Sequence, residues 1–177
     1  GPAYGGSCFP KDTRALIDTA NKFKIDLSIV KKVVKSNEKR KLLLTNKVVK
    51  ILNKNLKNKI ITFLGVTFKP NTDDMREASS IPMINFLSKK NCKIRYFDPS
   101  GKKKELSKIK NVQFYKNISS ACFKSDLIII HTEWNVFKLL NFKNLVKKKN
   151  FSIYDMRNIY SPTKMKKMKI RYFGVGR

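Results

Sequence analysis

The sequence predicts an α/β protein in which a long helical segment precedes a doubly wound parallel sheet. Beyond Lys59, short apolar runs of strand length alternate with helical segments. Residues 127–130 form the most apolar of these runs, as expected for a central strand that is buried on both faces. No Pro or Gly interrupts residues 28–56, so one continuous helix is predicted there. The 177 residues suffice for one sizeable core.

Two helices are predicted before the sheet. Apolar residues recur at helical spacing from Leu16 to Phe23, which predicts an amphipathic helix that Asp12 or Thr13 can cap. Ser28 is the candidate N-cap of the second helix. A helix of this length exceeds the usual globular length, and such helices often bridge two domains or pack against a partner subunit.

Six segments have the composition of strands: residues 60–64, 93–97, 112–115, 127–130, 151–154 and 170–173. Helices are predicted between them over residues 80–88, 118–123, 136–140, 142–148 and 163–168. Parallel sheets of this kind bind ligands at the carboxyl ends of their strands. We therefore expect the loops that follow Leu64, Phe97, Ile130 and Tyr154 to carry the functional residues.

The chain is strongly basic, with 40 Lys and Arg against 12 Asp and Glu and a net charge of +28. Such a charge suggests nucleic acid or another anionic surface as a partner. However, most of the excess is Lys rather than the Arg favoured for base and phosphate recognition. Lys, Asn and Ile, which all have A/T-rich codons, are abundant together, so a low-GC genome explains the charge better. The lysine runs at 102–104 and 147–149 are expected on solvated surface.

Other features exclude several classes of protein. The apolar fraction of 41% excludes a disordered chain, and no apolar run approaches the roughly 18–20 residues that cross a bilayer. Cys8, Cys92 and Cys122 are widely spaced and include no C-x-x-C pair, which excludes a zinc framework and a disulfide scaffold and indicates a reducing compartment. Cys92 and Cys122 lie beside strand-like segments and are expected to be small buried residues.

The segment G-G-S-C-F-P-K-D at residues 5–12 has the most suggestive chemistry. Its two glycines allow the backbone to approach a ligand closely. Cys8 leads into a helix, whose N-terminus, together with Lys11, favours the thiolate, and Asp12 could handle protons. Two interpretations remain open: a nucleophilic cysteine with an acid–base helper, or a loop cysteine beside a capping Asp and a solvated Lys.

The loop at residues 66–77 follows the first strand and contains Lys69 and Arg76, two cations that could hold phosphates. Asp73, Asp74 and Glu77 suggest a metal site, but the intervening cations favour internal salt bridges or capping. The loop contains no G-x-G-x-x-G fingerprint, so pyrophosphate binding of the dinucleotide type is not supported here.

Two further residues lie at the same predicted edge of the sheet. Arg157 follows the strand at residues 151–154 and is directed towards the same crevice. His131 ends the central strand and, as the single histidine, is the one candidate for a Cys–His dyad. Nothing in the sequence brings His131 close to Cys8, so a buried or rim histidine is the default interpretation.

These segments, in this order, resemble the UDP-glucose/GDP-mannose dehydrogenase family. The segment at residues 5–12 is similar to the catalytic-cysteine motif of that family, and V-T-F-K-P-N-T-D-D-M-R-E at residues 66–77 is similar to the loop that opens its UDP-binding domain. T-E-W at 132–134 and D-M-R-N-I-Y at 155–160 match later landmarks. The cysteine motif looks more like that of the UDP-glucose branch than that of the UDP-N-acetylhexosamine branch, which usually carries His before the Cys.

The resemblance implies a catalytic-cysteine loop and central dimerisation helix over residues 1–57 and a UDP-binding Rossmann-like domain over residues 58–177. Family members carry an N-terminal NAD-binding domain that does not precede Gly1, so we expect the C-terminal part of a longer enzyme, inactive alone. The implied reaction is the NAD-dependent oxidation of UDP-glucose to UDP-glucuronate. The implied enzyme is cytoplasmic, serves polysaccharide biosynthesis, forms a homodimer or higher homo-oligomer, and needs no metal, nucleic acid or membrane.

The resemblance also implies residue roles. Cys8 would be the nucleophile, holding the sugar as a thiohemiacetal and then as a thioester over two hydride transfers to NAD⁺, and Asp12 would handle protons. Contacts to the sugar nucleotide are implied for Gly5, Phe68, Lys69 and Arg157, and contacts to NAD⁺ for Lys11 and Arg76.

Two other functions remain open at this stage. A nucleotide-sugar-binding module without redox activity would bind UDP without turnover. A basic nucleic-acid-binding protein would show a steep salt dependence of DNA binding that UDP-glucose does not affect.

Overall fold

A computed structural model describes residues 1–176, which form two long helices followed by an α/β sheet domain. The long helices are α1 (Cys8–Lys22) and α2 (Ser28–Ile51). The strands are β1 (Ile60–Leu64), β2 (Lys93–Phe97), β3 (Val112–Phe114), β4 (Leu127–Ile130), β5 (Ser152–Asp155) and β6 (Arg171–Gly174). The helices between them are α3 (Ser80–Lys89), α4 (Lys104–Ser107), α5 (Ile118–Cys122), α6 (Phe142–Val146) and α7 (Pro162–Lys167).

The strands pair in the order β3-β2-β1-β4-β5-β6, and every pair described within residues 1–176 is parallel. The predicted doubly wound sheet is therefore confirmed. The strand order reverses between β1 and β4, which creates a crevice at the carboxyl edge of the sheet. Leu64 pairs with both Phe97 of β2 and Ile130 of β4, so these three strands end at the same level. No helix among the described residues is long and apolar enough to span a membrane.

Two apolar clusters cover the two faces of the sheet. Alternate residues of β4 belong to different clusters, with Leu127 and Ile129 on one face and Ile128 and Ile130 on the other. The first cluster also contains the buried side chains of α2 and α3, namely Leu44, Val48, Ile51, Met83, Ile84 and Leu87. The C-terminal half of α2 is thus part of the sheet core, while the apolar side chains of Ile29 and Val33 in its N-terminal half are exposed.

The structure corrects the predicted cap of the first helix. α1 begins at Cys8, so neither Asp12 nor Thr13 occupies the N-cap position. The hydroxyl of Thr13 instead donates to the carbonyl oxygens of Phe9 and Pro10, at 2.8 and 3.1 Å. The helix can start this early because proline is tolerated in a first turn, whose N–H groups have no intrahelical acceptor.

Three other helix predictions also change. Ser28 is the first residue of α2 rather than its cap, and the N-cap residue Leu27 makes no side-chain capping hydrogen bond. The predicted helix at residues 136–140 is a single 3₁₀ turn over Asn135–Phe137, in which the side chain of Phe137 packs in the second apolar cluster. α4 lies in a segment for which the sequence predicted no helix.

The expectation of a solvated lysine run at 102–104 is wrong for Lys103, whose exposed fraction is 3%. Its Nζ donates to Ser100 Oγ at 2.6 Å and reaches the carbonyl oxygens of Ser100 and Asp73 at 3.4 and 3.5 Å. Its backbone N–H donates to the hydroxyl of Tyr96 at 2.9 Å. A buried ammonium group needs such hydrogen-bond acceptors, so Lys103 ties the loop after β2 to the loop after β1.

Replacement of Gly65 by Ala is expected to lower the free energy of unfolding by about 2–6 kcal/mol, because a left-handed backbone and an overpacked contact each cost about 1–3 kcal/mol. Gly65 has a φ of +74°, and a Cβ there would lie 2.5 Å from Cβ of Thr132. Urea unfolding followed by circular dichroism measures the loss. Gly101→Ala is the matched control, since Gly101 has a φ of +90° but its added Cβ would meet nothing within 4 Å. Equal losses in the two variants would contradict the predicted clash.

Candidate active site

A cleft of about 590 Å³ lies where the first turn of α1 meets the loop after β1. Cys8 is the first residue of α1 and is exposed, with its Sγ 3.6 Å from Oγ of Ser7. The cleft is lined by Gly6, Ser7, Cys8, Pro10, Lys11, Arg14, Arg76 and Glu77. The cleft thus joins the cysteine segment to the far end of the loop at residues 66–77.

Cys8 lies in a positively charged environment. The thiol lies at the positive end of the α1 dipole, and Lys11, Arg14 and Arg76 line the same cleft. The hydrogen bond and charge of Asp74 raise the pKa of Arg76, and the charge of Cys8 contributes in the same direction. The interaction with Cys8 indicates that Arg76 and the cysteine lie close enough to affect each other.

The other two cysteines have a different environment. Cys92 and Cys122 are fully buried. Burial raises the pKa of Cys92 to about 11 and that of Cys122 to about 12, so both thiols stay protonated at neutral pH. The prediction that they are small buried residues is confirmed, and neither is a candidate nucleophile.

The two glycines of the cysteine segment are required by contact with the loop after β1. The N–H of Gly6 donates to the carbonyl oxygen of Arg76 at 2.8 Å. A Cβ on Gly5 would lie 2.6 Å from the carbonyl oxygen of Glu77, and a Cβ on Gly6 would lie 2.8 Å from the ring of Phe68. Gly6 also has a φ of +88°. The two glycines therefore allow close contact with the protein's own backbone and with an aromatic ring, and the close approach to a ligand stays a prediction.

The residues before the cysteine segment are anchored to α2. The backbone N–H of Tyr4 donates to Oδ1 of Asn37 at 3.0 Å, and Nδ2 of Asn37 donates to the carbonyl oxygen of Tyr4 at 3.1 Å. The guanidinium of Arg40 donates two hydrogen bonds to the carbonyl oxygen of Gly1, at 2.9 and 2.7 Å. The cysteine segment is thus held between α2 and the sheet edge.

Arg157 connects three loops at the carboxyl edge. Its Nε donates to the carbonyl oxygen of His131 at 2.8 Å, and its Nη2 donates to that of Phe68 at 2.9 Å. Its side chain also forms an ion pair with Glu133 at 2.7 Å. Burial lowers the pKa of Arg157, and the charge of Glu133 opposes that effect. Arg157 lies at the predicted crevice, and these contacts leave its Nη1 for a ligand.

Phe68 and Lys69 lie beside Arg157 on the loop after β1. Phe68 is half-buried because its ring packs under Gly6, whereas Lys69 is exposed. The Nζ of Lys69 lies 5.4 Å from the centre of the Phe68 ring. Within residues 1–176 Lys69 has no ion-pair partner, which leaves its charge available to an anion at the sheet edge.

The acidic residues of the loop at residues 66–77 mostly pair with cations, as expected. Asp74 accepts two hydrogen bonds from the guanidinium of Arg76, at 3.0 and 2.9 Å, which lowers the pKa of Asp74. Glu77 accepts hydrogen bonds from Arg14 and Lys41. Among the residues that the structure describes, no cluster of three His, Cys, Asp or Glu side chains could hold a metal ion.

Lys11 and Asp12 lie together on the exposed first turns of α1. Nζ of Lys11 is 3.3 Å from Oδ1 of Asp12, and both side chains are more than half exposed. Lys11 lines the cleft beside Cys8. Asp12 lies one helical turn beyond Cys8, so the two side chains share a helix face.

His131 is a buried structural residue. Its exposed fraction is 1%, and burial lowers its pKa to about 3, so the ring is neutral. Nε2 lies 2.9 Å from Oγ of Ser79, and Nδ1 lies 3.1 Å from Oγ1 of Thr132. Since both ring nitrogens are occupied, His131 is not available as a base for Cys8, and the default interpretation is confirmed.

Sequence reasoning missed Arg14 as a residue of the cleft and did not connect Glu77 to it. A signal for Arg14 was present, because Cys8, Lys11 and Arg14 follow one another at intervals of three residues on a helix. No signal for the partners of Glu77 was present, because Arg14 and Lys41 lie 63 and 36 positions away in the chain.

The strand order and the cleft at the carboxyl edge define a Rossmann-like α/β protein with an accessible cysteine. A family profile described as "UDP-glucose/GDP-mannose dehydrogenase family, UDP binding domain" matches residues 62–162. The central domain of the same family matches residues 1–39. The chain belongs to the UDP-glucose/GDP-mannose dehydrogenase family, and the predicted resemblance is confirmed.

Individual relatives agree with this assignment. The chain is 42% identical to a UDP-glucose 6-dehydrogenase of Rickettsia prowazekii, over 99% of this chain and 41% of the relative. It is 36% identical to a UDP-glucose 6-dehydrogenase of Rhizobium meliloti, over 100% of this chain and 41% of the relative. The chain thus spans about two fifths of the length of these curated relatives.

Solved structures show the same fold. A UDP-glucose dehydrogenase from Pyrobaculum islandicum superposes with a TM-score of 0.82 at 26% identity, covering 99% of this chain and 38% of that chain. An NDP-N-acetyl-D-galactosaminuronic acid dehydrogenase from Methanosarcina mazei has a TM-score of 0.86 at 23% identity, covering 100% and 39%. At that identity the second likeness supports the fold alone.

Proposed function

We propose that this chain is the part of an NAD-dependent UDP-glucose 6-dehydrogenase that carries the catalytic cysteine and binds UDP-glucose. The observation that carries the proposal is the cleft in which Cys8, at a helix N-terminus, lies among Lys11, Arg14 and Arg76 against the loop after β1. The names of the relatives support the same reaction. Cytoplasmic location and a role in polysaccharide biosynthesis are part of the proposal, and the three free cysteines suit a reducing compartment.

Cys8 acts as the nucleophile in this proposal. Its thiolate adds to the C6 aldehyde of the sugar to give a thiohemiacetal, which loses a hydride to become a thioester. Water then hydrolyses the thioester, which releases the 6-carboxylate and returns the thiol. Asp12, one helical turn from Cys8, takes a proton from the attacking water. NAD⁺, when bound, supplies the acceptor for the two hydrides that leave C6.

The cations of the cleft fit a negatively charged cofactor. Lys11 and Arg76 are exposed and line the cleft, so their charges can meet the pyrophosphate of NAD⁺ from the side of this chain. Asp74 holds two nitrogens of the Arg76 guanidinium and thereby restricts its direction.

The sugar nucleotide occupies the crevice between the ends of β1 and β4, where ligands of such sheets bind. The exposed ammonium of Lys69 meets the phosphates, and Phe68 supplies an apolar surface beside it. Arg157 holds the loops of the crevice in place and offers Nη1 to the ligand. Gly5 lies at the junction of this crevice with the cysteine segment, where it can contact the sugar.

The complete enzyme forms a homodimer or a higher homo-oligomer through α2 in this proposal. Large apolar side chains on α2 are exposed: Ile29, Val33, Leu42 and Leu43, with exposed fractions between 43% and 80%. Ile29 and Val33 lie one helical turn apart, and exposed apolar surface on a long helix is often covered by a protein partner.

The test of the catalytic role is Cys8→Ser in a complete enzyme that carries this chain. Release of the acid should be lost, because a serine hydroxyl is not ionised at neutral pH, while UDP-glucose binding should be nearly unchanged. NADH absorbance measures turnover, and titration calorimetry measures binding. Cys92→Ala is the control and should retain turnover, since Cys92 is buried away from the cleft. Normal turnover in Cys8→Ser would refute the proposal, and intact UDP binding without turnover in the unmutated enzyme would indicate a binding module.

Lys69→Ala is expected to weaken UDP binding to the chain by roughly 1.5–3 kcal/mol, the range for a hydrogen bond to a charged group. The affinity is measured by titration calorimetry with UDP. Lys167→Ala is the matched control. Lys167 is an exposed lysine at the end of α7, which leads to the start of β6 at the amino edge of the sheet. An unchanged affinity in Lys69→Ala, or an equal loss in both variants, would contradict the assignment.

Leu42→Lys is expected to shift the sedimentation coefficient of the complete enzyme towards the monomer at micromolar concentration, because a charge on α2 opposes burial of that surface. Leu139→Lys is the control, since Leu139 is 96% exposed but lies outside α2. A monomeric unmutated enzyme would rule out the proposed interface.

A further inference from the structure

Four charged side chains form an ion cluster at the junction of α1, α2 and the loop after β1. Oε1 of Glu77 lies 2.9 Å from Nη1 of Arg14 on α1, and Oε2 of Glu77 lies 3.1 Å from Nζ of Lys41 on α2. Lys41 also pairs with Glu38 at 2.8 Å. One carboxylate therefore joins both α1 and α2 to the loop after β1.

The ion cluster matters for α1 because that helix has little apolar contact with the rest of the protein. Only Pro10 and Ala20 of α1 are buried, while Leu16 is half exposed. Among residues 1–176, the pair between Arg14 and Glu77 is the one ion pair that joins α1 to the loop after β1. This ion pair therefore adds a side-chain link between α1 and the loop to the backbone hydrogen bond that Gly6 donates to Arg76.

The backbone of Glu77 supports the same interpretation. Its φ is +55°, in the left-handed region that non-glycine residues rarely adopt. Such a conformation persists where surrounding contacts determine it. Here the carbonyl oxygen of Glu77 packs against Gly5, and its carboxylate is held by Arg14 and Lys41. The strained residue is thus fixed at both its main chain and its side chain.

We propose that Glu77 is a positioning residue for Cys8, which holds the N-terminus of α1 against the sheet edge through Arg14 and Lys41. This inference rests on the proposed function of Cys8. Glu77 touches neither substrate nor the reacting atoms in this account. Its carboxylate fixes the direction of α1, so that the thiol of Cys8 faces the crevice where the sugar binds.

The positioning of α1 requires the negative charge of Glu77 as well as the shape of its side chain. Lys41 has an exposed fraction of 8%, and a buried ammonium group that loses a carboxylate partner is costly. The hydrogen bond from Arg14 is the first cause of a lowered pKa of Glu77. The carboxylate therefore stays ionised at neutral pH, and its contribution to stability is lost only as the pH falls through this lowered pKa.

The test compares Glu77→Gln, Arg14→Met and the double variant. In the complete enzyme, each single variant should lower kcat about 10- to 100-fold, the cost of a misplaced reacting group, with the KM for UDP-glucose changed less than about twofold. The double variant should be no worse than the single ones, because both break the same link. Glu38→Gln is the matched control. Glu38 pairs with Lys41 but forms no ion pair with Arg14, so the kcat of the Glu38→Gln enzyme should equal that of the unmutated enzyme.

A second measurement separates this inference from the proposed function. Amide hydrogen exchange of α1 in the 177-residue chain should be about three- to tenfold faster in Glu77→Gln and Arg14→Met than in the unmutated chain or in Glu38→Gln. This readout does not depend on turnover, so it decides the positioning role even if the complete enzyme oxidises another substrate. Unchanged exchange of α1, additive losses in the double variant, or equal losses in kcat and affinity would overturn the inference. If Glu77→Gln does not fold, Arg14→Met, whose replaced side chain is exposed, decides alone.

Discussion

The contact between the cysteine segment and the loop after β1 is the constraint on which the rest of the site depends. Gly5 and Gly6 lie so close to Glu77 and Phe68 that a methyl group at either glycine would overlap them. This contact brings a helix that is distant in sequence to the carboxyl edge of the sheet. It therefore creates the cleft in which Cys8 lies among cations, because neither the helix nor the sheet supplies all of the lining residues.

The loops at the sheet edge are held by the protein's own polar groups. Asp98, which follows β2, accepts the backbone N–H of Val66 at 2.8 Å and that of Ser100 at 3.0 Å. In dinucleotide-binding sheets of this order, an acidic residue in the first half of the fold binds the ribose. Here the carboxylate of Asp98 is buried and accepts hydrogen bonds from the protein's own backbone. It therefore stabilises the loops of the crevice and does not bind a ligand. Arg157 does the same for the loops after β1 and β4.

Charge in this protein serves different purposes in different places. Most lysines are exposed, in agreement with a composition that reflects codon usage. Lys41 and Lys103 are buried, and each is satisfied by acceptors from a different element. The cations around Cys8 are exposed and each is paired with a carboxylate, as Asp74 holds Arg76. Such groups remain available to an anionic ligand while their directions are restricted.

The sequence by itself determined the sheet and its parallel strands, because apolar periodicity is a local property of the chain. It placed Cys8 just before a helix, but it set the start of that helix at Asp12 or Thr13 rather than at Cys8. It also identified Lys69 and Arg157 as residues of one edge, since parallel strands end on the same side. Only the tertiary structure decided that Lys103 is buried, that His131 is occupied by Ser79 and Thr132, and that Glu77 joins two helices. Each of these facts involves at least one partner that is 30 or more residues away, and the pairing of distant side chains leaves no periodic signal in a single sequence.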